Sequence, residues 1–241
     1  MVTDGTNVVA SLCQDIIQAS LKETAEYIKS NADKITIGIP EAGLPCMFML
    51  SHGLDFDDEP QLENLLVKKD NWQEFQQVLI RNGITTLYHF TDRTNISSIK
   101  KHGGLYSWYY CDKHDITISY PGGDELSRQL DIRYNLQDFV RLSFCNDHPM
   151  MWRLQQNGRN LVTLEVKVDV SYFKNTCFSD INATDSDHTH GSNLQDLKRI
   201  DFMAVKRKSV SREDADFKTH QAEVLVKTCI PLEYITNIND F

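Results

Sequence analysis

A glutamate interrupts the apolar stretch QAEVLV at residues 221–226. Side chains alternate between the two faces of a strand, so Glu223 shares a face with Leu225 and lies opposite Val224. A carboxylate among apolar strand residues loses its hydration, which is costly unless the group has a use. The stretch therefore indicates either a buried strand that carries a site carboxylate or an edge strand whose glutamate faces water.

Other stretches of the chain also have the composition and alternation of strands. They are TTLYHF (85–90), DFVRLSFC (138–145) and LVTLEVKV (161–168). Short helices are predicted between the strands, at residues 95–101, 124–130, 149–155 and 192–199. We therefore predict an α+β domain over residues 83–241. Residues 1–82 are predicted to form a mostly helical N-terminal section, with helices near 1–34 and 71–82.

Composition limits the class of protein. The chain has 241 residues, of which 41% are hydrophobic, which is enough for one substantial core. It has no apolar run of 18 residues and no signal peptide at its start, so we expect no membrane span. The six cysteines are scattered without a C-x-x-C pair, which predicts reduced thiols in a cytoplasmic protein. The net charge of -9 argues against binding nucleic acid through bulk charge, but it leaves room for a local basic patch.

The end of the first predicted strand carries polar groups suited to binding. His89 and Thr91 lie two residues apart on one side of the strand, and a helix and the double glycine at 103–104 follow. Their side chains are able to hold ribose hydroxyls or an amide by hydrogen bonds. The alternative is that the two residues only cap the next helix.

Two later segments also suggest a site. Arg128 lies in a predicted helix, where a guanidinium is able to grip a diphosphate, or where it simply belongs to a charged surface. The third strand runs into His148 and the Pro-Met-Met-Trp stretch at 149–152, which either lines a pocket for a flat ring or packs in the core. The histidines and aspartates at 185–190 match no familiar zinc spacing, so we predict no metal.

Taken together, these segments resemble the DarT-like ADP-ribosyltransferases. The shared features occur in the same order: Tyr-His-φ-Thr, an Asn-x-x-x-Ile helix, Gly-Leu, a helical Arg, an Asp-Phe-Val strand before Pro-Met, and a late Ala-Glu-φ-Leu-Val strand. The resemblance covers about residues 84–238. It implies a split β-sandwich that holds NAD in its cleft, without a metal. It also implies a bacterial toxin of a toxin–antitoxin or phage-defence system.

The resemblance also implies roles for particular residues. His89 and Thr91 match the strand that holds the nicotinamide end of NAD, and Asn95 matches the polar residue that opens the next helix. Glu223 matches the catalytic glutamate, and Arg128 the catalytic arginine, with Arg133 as a rival. The segment 203–220 matches the loop that meets the substrate. Its basic residues include Lys206, Arg207 and Lys208. Where the family often has a basic residue before Pro-Met, this chain has Asp147 followed by His148.

The predicted function is mono-ADP-ribosylation of a base in single-stranded DNA, with NAD as co-substrate. Three alternatives remain open at this point: the same chemistry on RNA bases, a protein-modifying transferase, for which Gln221 two residues before Glu223 is the relevant position, and a binding module without catalysis. The predicted partners are single-stranded nucleic acid and a cognate antitoxin.

Overall fold

The computed structural model describes residues 65–241. They belong to a compact unit that spans Leu62–Phe241. The predicted helix near residues 1–34 lies outside the described residues, as does most of the predicted N-terminal section.

Six strands form an antiparallel sheet in the order β4-β1-β3-β7-β5-β6. They are β1 (Thr86–Asp92), β3 (Phe139–Ser143), β4 (Leu161–Lys167), β5 (Cys177–Ser179), β6 (His190–Gly191) and β7 (Glu223–Lys227). A separate two-stranded sheet pairs β2 (Gly104–Tyr106) with β8 (Cys229–Pro231). All four strands predicted from the sequence are present, and strand pairs distant in the sequence lie at the centre of the sheet.

Helices connect the strands and cover them. They are α1 (Trp72–Arg81), α2 (Ile96–Lys101), α3 (Trp108–Lys113), α4 (Glu125–Arg133), α5 (Pro149–Gln156), α6 (Leu194–Lys198) and α7 (Phe217–His220). The start of α4 follows from its sequence, since the Asp124 side chain accepts a hydrogen bond from the Ser127 amide. Helix α5 begins with Pro149 in its first turn, where the missing N–H costs nothing.

Helix α1 belongs to the same core as the sheet. Phe75 and Leu79 on its inner face are almost fully buried, and the Phe75 ring stacks on Phe178 of β5 at 5.8 Å between centroids. Helix α1 therefore packs within the compact unit that begins at Leu62, and the domain boundary predicted after residue 82 stays a prediction. The sequence did not reveal this because the amphipathic pattern of a helix does not say which surface it packs against.

The core confirms the predicted α+β class. In β4, Val162, Leu164 and Val166 are buried, and the residues between them are more exposed, as the alternation predicts. Strand β7 is buried on both faces over residues 223–226 because β3 and β5 flank it and other parts of the chain cover both sides. A carboxylate on this strand is therefore removed from bulk water.

The small sheet requires a glycine. A side chain at position 104 would place its Cβ 2.9 Å from both the Sγ of Cys229 and the backbone oxygen of Ile230. Gly104 thus allows β2 to approach β8 closely. This pairing fixes the chain between α2 and α3, which forms one wall of the cleft described next.

Candidate active site

A cleft opens beside the three central strands β1, β3 and β7. Its polar lining includes His89, Arg141, Ser143 and Glu223, and part of its apolar lining comes from the loops and helices between β1 and β3. Clefts that combine apolar walls with a few polar groups are typical of small-molecule sites.

Glu223 lies at the start of β7, at the bottom of this cleft. It is 7% exposed and is paired in register with Ser143 of β3 and Ser179 of β5. Its Oε2 accepts a hydrogen bond from the Ala183 amide at 2.8 Å and one from Nη1 of Arg141 at 3.0 Å. The predicted site carboxylate is therefore buried and held in a fixed orientation, rather than facing water at an edge.

Arg141 joins two carboxylates. On β3 it pairs with Leu225, so its side chain shares a face with Glu223. Its second terminal nitrogen forms an ion pair with Asp131 of α4. Asp131 is itself buried and accepts a 2.9 Å hydrogen bond from Nε1 of Trp108. The four side chains form a network that ties the sheet to α3 and α4.

Burial and charge act against each other in this network. Loss of hydration raises the pKa of Glu223, and the charge of Arg141 and the Ala183 N–H limit that rise. Burial alone would lower the pKa of Arg141, but the carboxylates of Glu223 and Asp131 outweigh it and raise the pKa. Glu223 is therefore a stronger base than a surface glutamate, and the charge of Arg141 favours its ionised form.

The hydrogen bonds of His89 define which of its two ring nitrogens carries a proton. Its Nδ1 lies 2.9 Å from the backbone oxygen of Arg141, and because a carbonyl only accepts, this nitrogen carries the proton. Burial lowers the pKa of His89, so the ring is neutral and its Nε2 is an acceptor. An acceptor at this position suits a hydroxyl or an amide N–H of a ligand.

Thr91 and Asn95 are joined to each other and to a loop. Asn95 donates from Nδ2 to the Thr91 hydroxyl at 3.1 Å and to the Tyr120 carbonyl at 2.9 Å, and its Oδ1 accepts from the Tyr120 amide. The amide group of Asn95 is thus occupied by the protein. Both residues line the cleft, where Asn95 holds the loop that carries residues 120–123.

The two candidate arginines differ in position. Arg128 lines the cleft, where its guanidinium bonds to Asp112 at 2.9 Å and lies 4.8 Å from the centroid of the Trp108 ring. Arg133 is exposed and lies outside the cleft lining, next to the ring of Tyr134. Neither of them contacts Glu223. The catalytic role of Arg128 stays a prediction.

The predicted substrate-binding residues divide into two groups. His148 is buried in the cleft wall, where burial and the nearby charge of His220 lower its pKa to about 4. Lys206, Arg207 and Lys208 are exposed and lie outside the cleft lining. Lys206 donates to the backbone oxygen of Asn82 at 3.1 Å, and Arg207 pairs with aspartates of its own loop.

The sequence did not single out Arg141 or Asp131. The family resemblance implies an arginine on a helix, whereas the partner of Glu223 is on a strand. Alternation along DFVRLSFC places Arg141 and Ser143 on one face of the strand. This pattern was the only sequence feature that pointed to Arg141 as a site residue. The pairing of β3 with β7 that brings Arg141 to Glu223 is a long-range contact, and alternation does not predict it.

The described residues 65–241 contain neither a metal-binding cluster nor a membrane-spanning helix. Within this range, no cluster of three or more His, Cys, Asp or Glu side chains has an arrangement suited to a metal ion. In the same range, no helix combines the length and the apolar character that crossing a membrane requires.

A family model described as "ssDNA thymidine ADP-ribosyltransferase, DarT" matches residues 88–239. The chain belongs to the DarT family. The matched range contains every strand from β2 to β8 and includes Glu223, Arg141 and His89. The resemblance noted in the sequence is thereby confirmed. So is the predicted enzyme class, an NAD-dependent ADP-ribosyltransferase that acts on single-stranded DNA.

Solved DarT structures have the same fold. Thermus sp. 2.9 DarT in complex with ADP-ribosylated ssDNA matches with a TM-score of 0.53 and 18% identity, over 64% of this chain and 79% of that chain. The same protein in complex with NAD+ matches with a TM-score of 0.52 and 16% identity, over 65% and 85%. Thermosipho africanus DarTG in complex with ADP-ribose matches with a TM-score of 0.54 and 24% identity, over 63% and 42%. No curated protein sequence matches the chain.

These matches confirm the predicted ADP-ribosyltransferase fold. The assignment of individual residues in this chain rests on the geometry described above.

Proposed function

We propose that this chain transfers ADP-ribose from NAD to a thymine base of single-stranded DNA, with Glu223 as the catalytic carboxylate. The observation that carries the proposal is the buried Glu223, held by Arg141 at 3.0 Å in a cleft that also contains His89. Family membership supports the reaction, and so does the structural likeness to Thermus DarT in complex with ADP-ribosylated ssDNA.

The lining of the cleft fits NAD as a substrate. The neutral His89 offers an acceptor for a ribose hydroxyl or the nicotinamide amide. The rings of Tyr106 and Trp108 line the same cleft and suit the flat parts of a dinucleotide. Arg128 provides a cation for the diphosphate, partly offset by its bond to Asp112.

The reaction breaks the bond between nicotinamide and ribose and forms one between the ribose carbon and a ring nitrogen of the base. Positive charge grows on the ribose in the transition state, and the carboxylate of Glu223 stabilises it. Nicotinamide leaves with the bonding electron pair. The ring nitrogen of thymine carries a proton and is a poor nucleophile, so a base must remove that proton. The raised pKa of Glu223 suits it to this second task.

Arg141 acts as a positioning residue in this scheme. It fixes the orientation of Glu223 and keeps the glutamate ionised while Asp131 holds the guanidinium from the other side. A preorganised carboxylate does not have to reorient as charge develops, and this is the main source of such electrostatic stabilisation.

The experiment is a transfer assay with labelled NAD and matched single strands. We expect label on DNA strands that contain thymine and none on strands that lack it, on RNA strands or on added proteins. Glu223→Gln keeps the shape of the side chain and removes its charge and basicity, so we expect transfer to fall by about 10²–10⁴-fold. Glu165→Gln is the matched control, because Glu165 is an exposed strand glutamate outside the cleft lining.

Label on RNA or protein at the same rate as on DNA would overturn the choice of substrate. Full activity of Glu223→Gln, with circular dichroism unchanged, would overturn the role of the carboxylate.

We also propose that the chain acts as a toxin with a cognate antitoxin, since modified DNA bases obstruct replication. Induced expression of the wild-type chain in bacteria then halts growth, whereas Glu223→Gln does not. Normal growth with confirmed expression and transfer activity would contradict the toxin role. A cognate antitoxin restores growth when it is expressed together with the wild-type chain.

A further inference from the structure

A cysteine and a histidine meet just beyond the end of β3, outside the set of residues that carry the reaction. The Sγ of Cys145 lies 3.6 Å from Nε2 of His220, at the end of α7. The same sulfur is 3.4 Å from the hydroxyl of Ser143, which lines the cleft. Cys145 is partly exposed, and it lies two residues after Ser143 of the cleft lining.

The protonation of His220 follows from its neighbours. Its Nδ1 lies 2.9 Å from the Ala204 carbonyl oxygen, and its Nε2 lies 3.3 Å from the Asp147 carbonyl oxygen. The hydrogen bonds to the Cys145 sulfur and to these carbonyls outweigh burial and raise the pKa of His220 to about 9, so the ring is protonated near pH 7. The residue is 1% exposed, so any charge on its ring is removed from bulk water. The Sγ of Cys145 lies 3.6 Å from this buried ring, and a positive charge there favours the thiolate form of the cysteine.

The cysteines within residues 65–241 differ in the direction in which their surroundings shift the thiol pKa. Burial opposes ionisation of Cys145, but the hydrogen bonds from His220 and Ser143 outweigh it and lower the pKa of the thiol. Burial raises the pKa of Cys111 to about 11 and that of Cys229 to about 12. A cysteine next to a histidine cation has the surroundings of a reactive thiol, whereas the other two have those of inert buried thiols.

Other titratable groups face the Cys145–His220 pair from neighbouring elements. They are Tyr88 on β1, Asp147 and His148 before α5, and Glu223 on β7. Burial raises the pKa of Tyr88, and burial with the charge of His220 lowers that of His148 to about 4, so both are neutral near pH 7. The carboxylate of Asp147 is exposed and accepts from the Ser209 amide. Glu223 is paired with Arg141. The charge on Cys145 near neutral pH therefore depends on His220.

We propose that Cys145 is a modification site, at which a small disulfide such as glutathione disulfide attaches to the thiol and obstructs the cleft. The thiolate of Cys145 attacks one sulfur of the disulfide, and a new sulfur–sulfur bond forms as the old one breaks. The second sulfur leaves as a thiolate and takes a proton from water. A thiol reductant reverses the step. The reactivity of Cys145 does not depend on the proposed function, whereas its effect on transfer rests on it.

The first test is the rate of mixed-disulfide formation on the full chain at pH 6.5, followed by peptide mapping with mass spectrometry. An ordinary thiol is about 1% ionised at this pH, and the lowered pKa of Cys145 makes its ionised fraction larger than that. Allowing for the lower nucleophilicity of a less basic thiolate, we expect Cys145 to react about tenfold faster than Cys177. Cys177 is the matched control, since it is also partly exposed and burial raises its pKa. Equal rates would overturn the proposal.

The second test is the pH dependence of alkylation by iodoacetamide, mapped to the same two peptides. Between pH 6 and 8 the ionised fraction of an ordinary thiol rises by roughly fiftyfold or more. We expect the rate at Cys145 to rise less steeply than the rate at Cys177, and His220→Gln to restore the steep rise. A steep rise at Cys145 in the wild-type chain contradicts the ion pair, whether or not the variant folds.

The third test measures whether modification of Cys145 obstructs the cleft, with transfer of ADP-ribose to DNA as the readout. We expect the mixed disulfide to abolish transfer, dithiothreitol to restore it, and Cys145→Ser to keep both activity and resistance to the disulfide. Full transfer by the modified chain would overturn the obstruction of the cleft. A chain that is modified at Cys145 but transfers nothing before treatment contradicts the proposed function and leaves the thiol assignment standing.

Discussion

Replacing Arg141 by methionine tests the electrostatics of the site most directly. The guanidinium is the only described side chain that forms an ion pair with Glu223 within residues 65–241, and it also holds Asp131. Methionine keeps much of the length and apolar contact of arginine and removes the charge. Two buried carboxylates then face each other's charge without a cation between them.

The expected magnitude follows from the distances. A cation at 3.0 Å lowers the pKa of a carboxyl group by about 1–3 units, so its removal raises the pKa of Glu223 further by that amount. Breaking a buried ion pair by removing one partner costs about 3–5 kcal/mol of folding free energy at a pH where the other partner is charged. We expect that loss for Arg141→Met at pH 8.

The penalty depends on pH, with a definite sign. The folded-state pKa of Glu223 lies above its unfolded value, so the folded chain binds more protons and stability falls as pH rises through that range. In Arg141→Met the range extends upward by about 1–3 units, and each unit is worth about 1.4 kcal/mol. The variant is therefore closest to the wild type at pH 5 and furthest from it at pH 8.

The measurement is urea unfolding of both chains at pH 5 and pH 8, together with the pH profile of kcat/KM for transfer. We expect the acid limb of the profile to move upward by about 1–3 units in the variant. Arg141→Lys keeps the charge and reduces the effect. Arg128→Met is the control for stability, because its half-exposed pair with Asp112 contributes only about 0–1 kcal/mol. An equal loss of stability at both pH values, with an unmoved acid limb, would refute the coupling between Arg141 and Glu223.

Two further changes test other parts of the structure. His89→Phe removes the acceptor at Nε2 while keeping a ring. We expect KM for NAD, measured by steady-state transfer kinetics, to rise by about tenfold, which corresponds to one hydrogen bond of about 1.4 kcal/mol. An unchanged KM contradicts the predicted contact. Gly104→Ala forces a Cβ against Cys229 and the Ile230 carbonyl, and we expect a loss of about 1–3 kcal/mol in urea unfolding. Gly122→Ala, which meets no atom within 4 Å, serves as its control, and equal stability of the two variants contradicts the close approach of β2 and β8.

Much of the fold could be predicted because the strands have strong local patterns. The alternation in LVTLEVKV and the apolar run in QAEVLV each specify a strand without reference to the rest of the chain. Helix α4 begins one residue after the predicted start because Asp124 is its N-cap, and it continues to Arg133 rather than residue 130. Helix ends are harder to predict, since propensities there are weak and tertiary contacts decide.

The sequence singled out two residues that line the cleft, and their roles stay predictions. Glu223 was identifiable because a charged residue in an apolar strand is unusual, and His89 because it lies at a strand end. The partnership of Arg141 with Glu223 depends on strands 82 residues apart in sequence, and no local pattern carries that information. Likewise, the spacing of the basic residues at 206–208 does not reveal that Arg207 is paired with aspartates of its own loop.

The order of strands in the sheet has a consequence for synthesis on the ribosome. His89, Arg141 and Glu223 come from β1, β3 and β7, and β7 is inserted between β3 and β5 although it is made after both. A growing polypeptide therefore presents an open sheet with a missing central strand until residue 227 has emerged from the exit tunnel. Because the Glu223 carboxylate arrives with that last central strand, the core and the proposed site are completed at the same step of synthesis.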